Sequence, residues 1–164
     1  METNTDHNFD SLKGIYIPLT LGGSLPFLFA AVAPYLNIYH APFVGNIQHA
    51  ITVYALVILS FIAGAQWGLS LGQEAEKVSK FNKPICPKRL MIGSNIMALT
   101  PWIVLCALGP GITFYFIVAL SFLILLIIDY RLANRNIVTH DYCKVRIGAT
   151  GIVVISLISL AFTA

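Results

Sequence analysis

The hydropathy pattern of this 164-residue chain consists of long apolar segments separated by short polar ones. A helix needs about 20 mostly apolar residues to cross the hydrocarbon core of a bilayer. Five segments have approximately that length, namely residues 14–36, 47–71, 90–108, 112–130 and 147–164. The pattern therefore predicts an all-α, polytopic membrane protein, in which residues 1–164 form a single membrane domain, a bundle of about five transmembrane helices.

The connection between the third and fourth segments is only Gly109-Pro110-Gly111. Both of these residue types interrupt helices. We therefore expect two spans joined by a tight helical turn here, and not one very long helix.

Charge placement also favours five spans. With that number, the N-terminal segment and the loops at residues 72–89 and 131–146 share one side of the membrane. That side holds all ten basic residues: Lys13, Lys77, Lys80, Lys83, Lys88, Arg89, Arg131, Arg135, Lys144 and Arg146. Because Lys and Arg accumulate in cytoplasmic loops, we expect a cytoplasmic N-terminus and a periplasmic C-terminus in a bacterial inner membrane. The acidic, Arg-free N-terminal segment makes the mitochondrial inner membrane the weaker alternative.

Composition narrows the function classes. The chain is 57% hydrophobic and 10% charged, which points to the lipid bilayer as its surroundings. Its charge of +3 lies in loops between helices, so we expect no nucleic-acid partner. The three cysteines and four histidines lack metal-ligand spacing, and no nucleotide-binding or hydrolase motif is present. We therefore expect no metal, no cofactor and no enzymatic activity.

Small residues recur every four positions in the second span, at Ser60, Gly64, Gly68 and Gly72. This spacing puts them on one helix face, where they form a groove that lets another backbone approach closely. The pattern predicts a packing groove within the bundle and makes the second span the packing hub. Homodimerisation through the same groove is the alternative.

The first and fourth spans have contrasting compositions. Pro18 and Pro26 flank Gly22 and Gly23 in the first span, which predicts a bent helix packed against the second, with new partners for the freed carbonyls. The fourth span is bulky all round and has no glycine, so we expect it to be the most lipid-exposed helix.

Six residues form a candidate polar cluster, because the topology puts them at similar depth near the cytoplasmic side. They are Gln66, Trp67, Ser94, Asn95, Asp129 and Arg146. Polar groups in membranes are costly, so each is a candidate functional group. A structural role is the stronger expectation: Trp67 suits a membrane interface, and Asp129 and Arg146 are predicted to form an ion pair with two parallel hydrogen bonds.

The second span, from Tyr54 to Gly68, resembles the signature of an uncharacterised family of small membrane proteins. The matching elements are the tyrosine, the Leu-Ser-Phe step, a glycine and the closing Trp-Gly. Other matching positions are Gly23–Phe27, Ser94 with Pro101-Trp102, Asp129 and Lys144–Arg146. The family includes bacterial members and mitochondrial transmembrane protein 69. The resemblance implies an energy-transducing membrane, and Gln66 departs from it, because a basic residue is expected there.

Two functions remain open from the sequence, with a lipid- or quinone-modifying enzyme third. The leading expectation is a non-enzymatic accessory or assembly protein that acts through other membrane-protein helices, in a hetero-complex or a homodimer. The alternative is a small transporter or channel that uses the polar cluster.

Overall fold

The computed structural model describes residues 14–76, 87–135 and 137–163. Helix α1 comprises residues 14–22 of this part, and α2 spans Leu25–Val32 and continues as a 3₁₀ turn over Ala33–Leu36. The strands β1 and β2 follow, and then four long helices. These elements are β1 (His40–Ala41), β2 (Gly45–Asn46), α3 (Ile47–Glu76), α4 (Pro87–Leu108), α5 (Ile112–Ala133) and α6 (His140–Thr163).

Five segments of this fold are helical, long and apolar enough to cross a membrane, which confirms the predicted number. They are Gly14–Leu36, Ile47–Gly72, Lys88–Leu108, Ile112–Ala133 and His140–Thr163. The fifth helix begins seven residues earlier than predicted, because Thr139 caps it. The amide of Tyr142 donates to the Thr139 hydroxyl at 3.4 Å, so the polar residues that follow are helical. Among the basic residues, Lys13, Lys77, Lys80 and Lys83 lie outside the described residues, and so does Ala164.

The first span is bent where α1 gives way to α2, as the prolines predicted. Pro26 occupies the first turn of α2 and has no amide proton to donate to the preceding turn. The phenol of Tyr54 on α3 donates to the carbonyl oxygen of Gly23 at 3.0 Å, and the Ser24 hydroxyl donates to the Leu21 carbonyl oxygen at 2.6 Å. The Gly23 carbonyl at the bend therefore has a partner on another helix, as predicted for carbonyls at this point of the first span.

Cross-helix contacts fix the relative directions of the spans. Thr52 bonds Tyr115, and Gln66 bonds Asp129, and both pairs are 63 residues apart in the sequence. Because one offset holds at both levels, α3 and α5 run parallel and in a constant register. Tyr16 and Tyr35 of the first span contact α6 at Tyr142 and Ser159 respectively, so those two segments are also parallel.

Two connections between antiparallel spans lie at the same end of the bundle. Gly109 ends α4 with a φ of 75°, a left-handed conformation that suits glycine, which confirms the predicted helical turn. The connection between the first two spans contains the β1–β2 hairpin, which the sequence did not indicate. We call the end of the bundle that contains these two connections the uncharged end. The opposite end, where the described residues Lys88, Arg89, Arg131, Arg135 and Lys144 lie, is the basic end.

The expectation that the fourth span is the most lipid-exposed helix is wrong. In the most apolar stretch of α5, 44% of the residues are buried, against 17% in α4. Phe114, Tyr115, Val118 and Leu125 of α5 are fully buried. They share the hydrophobic core with small side chains of neighbouring helices, among them Ala30, Ala55 and Ala161. The most buried spans are therefore α5 and α6, at 44% each, and not α3, at 39%, and the least buried span is α4.

Candidate functional site

Three of the six candidate polar residues meet inside the bundle, and we call Gln66, Asp129 and Arg146 the Asp129 cluster. They come from α3, α5 and α6, and their exposed fractions are 1%, 4% and 7%. The cluster lies in the half of the bundle next to the basic end, at the level expected from the span boundaries. Burial at this depth makes any unpaired charge costly, so the bonds within the cluster decide its stability.

The carboxylate of Asp129 binds a different residue through each oxygen. Its Oδ1 accepts a hydrogen bond of 2.9 Å from Gln66 Nε2. Its Oδ2 accepts a hydrogen bond of 3.1 Å from Arg146 Nε, and Arg146 Nη2 also lies 3.1 Å from this oxygen. The predicted ion pair is present.

The expected two parallel hydrogen bonds from the guanidinium are not what the structure contains. Two of the three guanidinium nitrogens, Nε and Nη2, face the same oxygen of Asp129, and Nη2 has no aligned acceptor. The other oxygen, Oδ1, accepts from Gln66. The Gln66 amide, at the position where the resemblance implied a basic residue, supplies a donor without adding a second positive charge to the pair.

The other three candidates lie apart from the cluster. Trp67 is 42% exposed and points away from it. Ser94 is buried, but its hydroxyl donates to the Met91 carbonyl oxygen of its own helix. Asn95 is exposed and donates to the same carbonyl oxygen. The six residues therefore lie at a similar depth, but only three of them face one another, because the direction in which a side chain points also depends on its position around the helix axis.

The structure adds residues that the sequence did not single out. Tyr142 and Cys143 on α6 lie within electrostatic range of Asp129 and Arg146. Thr150 is one turn beyond Arg146 and 2% exposed, so the four-residue spacing on one helix was a usable signal for it. Nearer the uncharged end, the buried hydroxyls of Thr52 and Tyr115 lie 3.1 Å apart. The spacing of residues along the chain does not indicate which residue of α3 contacts which residue of α5, so this pair could not be predicted.

The small-residue groove lies on the exposed side of α3. Ser60, Gly64, Gly68 and Gly72 are all exposed, and a Cβ atom built at any of the three glycines would have nothing within 4 Å. The expectation that this groove packs against another span of the same chain is therefore wrong. The physical reason is that α3 buries its opposite face, which carries Leu59, Gln66 and Ser70.

Segments that carry the family resemblance contact one another. Gly23 and Phe27 of the first span contact Tyr54 through a hydrogen bond and a ring contact of 5.4 Å between centroids. Asp129 bonds both Arg146 and Gln66, and Gln66 lies within the Tyr54–Gly68 segment.

Comparison with protein families gives one match, which covers residues 13–162, and its description is "Protein of unknown function (DUF3429)". The chain belongs to this family. The match extends over all five spans, so the bent first span, the Asp129 cluster and the exposed groove all lie within the DUF3429 region. Neither the curated proteins nor the solved structures gave a match to this DUF3429 chain.

Proposed function

We propose that this DUF3429 protein is a non-enzymatic accessory or assembly protein of a bacterial inner membrane, where it binds a helix of another membrane protein. The N-terminus is cytoplasmic and the C-terminus periplasmic in this proposal. The observation that carries it is the exposed groove on α3, where Gly64, Gly68 and Gly72 have open space beside them. The resemblance to a family that includes mitochondrial transmembrane protein 69 supports an energy-transducing membrane.

The shape of the exposed face of α3 favours a helical partner. Val57 and Phe61 are exposed beside the small residues, at 58% and 74%. Bulky side chains next to a row of glycines give ridges and a groove, into which another helix can pack closely. Van der Waals packing is the main source of association between apolar helices in lipid, so a shape of this kind supports a protein partner.

The bonding of the buried polar groups supports a role without catalysis. Both oxygens of Asp129 bind donors from neighbouring helices, as expected of a carboxylate that holds helices together. Within the described parts of the chain, no group of three or more His, Cys, Asp or Glu residues could hold a metal ion.

The test is affinity purification of the protein from its native membrane in mild detergent, with partners retained. We compare the wild type with Gly68→Leu, which fills the groove, and with Leu123→Phe, which enlarges an exposed side chain on α5. The proposal expects a stoichiometric partner with the wild type and with Leu123→Phe, and its loss with Gly68→Leu. Retention of the partner by a folded Gly68→Leu protein contradicts it.

A small transporter or channel is the second candidate, and the buried polar groups at two levels of the bundle favour it. Thr52 and Tyr115 lie near the uncharged end, and the Asp129 cluster lies near the basic end. Between the two levels the core contains fully buried Leu59 and Val118 together with Phe122, which argues against a continuous polar path. Recovery of a lone oligomer in the purification would favour this candidate over the first.

A further inference from the structure

Two buried hydroxyls of α6 differ from the other buried hydroxyls of the long helices. Those of Thr52, Ser70, Ser94 and Ser121 each donate to a carbonyl oxygen of their own helix. The hydroxyls of Thr150 and Ser156 have no hydrogen-bond partner among the described residues. A buried hydroxyl without a partner destabilises the fold, so the environment of these two groups requires an explanation.

The antiparallel register of α5 and α6 places Thr150 beside the Asp129 cluster. Arg146 bonds Asp129. Thr150 follows Arg146 by four residues and therefore lies level with Leu125, which precedes Asp129 by four residues. The Leu125 carbonyl oxygen accepts a 3.2 Å hydrogen bond from Gln66 Nε2. The Thr150 hydroxyl is thus at the same depth as the Gln66 amide, whereas Ser156 is about 15 Å further along α6 than Arg146, by the usual helical rise.

The orientation of the Gln66 amide is determined by its partners. Both groups that contact Nε2, the Leu125 carbonyl oxygen and Asp129 Oδ1, can only accept hydrogen bonds. The nitrogen must therefore face them. This leaves the amide oxygen Oε1 buried without a donor, and Arg146 Nη2 is buried without an aligned acceptor. One buried acceptor, one buried donor and one buried hydroxyl consequently surround the same ion pair.

We propose that Gln66 Oε1, Arg146 Nη2 and Thr150 Oγ1 form a binding site for water at the Asp129–Arg146 ion pair. Water both donates and accepts, and buried waters typically make two to four hydrogen bonds to groups of this kind. An ion is a poorer occupant, because the charges of Asp129 and Arg146 already balance. Arg146 keeps 7% of its surface exposed, and in this proposal water reaches the site along this side chain from the basic end. The ion pair is then a hydrated one that exchanges with the aqueous phase at that end.

Solid-state NMR of the ¹⁵N-labelled protein in lipid bilayers tests the site through transfer of magnetisation from water to nitrogen-bound protons. We expect transfer to the Gln66 amide and the Arg146 guanidinium to be several-fold faster than to the backbone amide of Val118, which is fully buried among apolar residues. Transfer as slow as that to Val118 overturns the proposal.

Two substitutions at Thr150 test its part in the site. Thr150→Val has nearly the same shape and no hydroxyl, so we expect slower transfer to the Gln66 amide and a lower melting temperature. Thr150→Ser keeps the hydroxyl and keeps the fast transfer. If the hydroxyl is simply unpartnered in a dry core, Thr150→Val instead raises the melting temperature, and that result overturns the assignment of Thr150. If Thr150→Val does not fold, the wild-type measurement decides.

Discussion

The phenol of Tyr54 donates a hydrogen bond to the carbonyl oxygen of Gly23, 31 residues earlier in the chain, at the bend of the first span. In lipid no water is present to satisfy a carbonyl group that a proline-containing helix leaves unpaired. The ring of Tyr54 also packs 5.4 Å from that of Phe27, which is fully buried. The Tyr54 side chain on α3 therefore provides the Gly23 carbonyl oxygen with a hydrogen bond and also packs the first span against the core.

Tyr54→Phe removes this hydrogen bond and keeps the ring. We expect a loss of about 0.5–2 kcal/mol in stability, the range measured for hydrogen bonds between helices in membranes, seen as a lower melting temperature in detergent. Tyr39→Phe is the control, because Tyr39 is 58% exposed near the uncharged end. Equal melting of the two variants would mean that the Gly23 carbonyl does not need Tyr54.

The Asp129–Arg146 pair is suited to a double-mutant cycle. Asp129→Ala and Arg146→Ala each leave an unpaired charge in a buried position, and we expect each to cost about 3–5 kcal/mol. The double variant should cost less than the sum, because neither charge is then left alone. Folded yield and melting in detergent measure both effects. Lys144→Ala is the control, because its ion pair with Asp141 is exposed and such pairs contribute about 1 kcal/mol at most.

Full additivity in this cycle would remove the pair as a structural unit. A variant at Asp129 that folds normally but loses a cellular phenotype would instead assign the residue to function.

Gln66 gives a separate prediction, because its neutral amide supplies a donor to an already balanced ion pair. Gln66→Leu removes that donor, and we expect a cost of about 1.5–3 kcal/mol, the range for hydrogen bonds to charged groups. Gln66→Glu replaces the donor with a second carboxylate about 3 Å from Asp129, so it should be the more damaging variant. Trp67→Leu, at the exposed neighbouring position, should be mild. If Glu is tolerated as well as Leu, the amide does not donate to Asp129.

The number of spans could be predicted from the sequence, because hydropathy and charge placement both act along the chain. The pairing of Asp129 with Arg146 could be predicted for a related reason. The ends of the helices determine how deep each residue lies in the membrane, and opposite charges buried at the same depth attract each other. Rotation about the helix axis could not be predicted in the same way. It decides that Gln66 faces Asp129, whereas Trp67, the next residue, points away.

The groove and the fourth span show a further limit of sequence patterns. Four small residues on one face allow a close approach, but nothing in their spacing identifies the helix that approaches. Bulky residues in lipid can face either acyl chains or a core, because both are apolar. Val118 and Phe122 are buried in a core that also contains Ala55 of α3 and Ala161 of α6, and the fit between side chains of different helices cannot be seen in the pattern of one helix.

For the isolated protein, the exposed position of the groove predicts equal stability of two variants. Gly68→Leu adds a side chain where a Cβ atom would meet nothing within 4 Å. Leu123→Phe enlarges a side chain that is 40% exposed. We expect both to melt in detergent close to the wild type, and slightly higher helix propensity could even stabilise Gly68→Leu. A marked destabilisation by Gly68→Leu alone would mean that the groove packs within the chain after all.

The alternating directions of the spans give the last prediction, which concerns topology. The first span runs parallel to α6, and α3 runs parallel to α5. The entry of the first span and the exit of α6 therefore lie at opposite ends of the bundle. A reporter fused after Ala164 should consequently lie on the opposite side of the membrane from one inserted between Lys77 and Lys88. Because basic loops stay in the cytoplasm, we expect the first reporter in the periplasm and the second in the cytoplasm. Both reporters on the same side would contradict five spans, whereas a reversed pair would keep the bundle and overturn only its orientation.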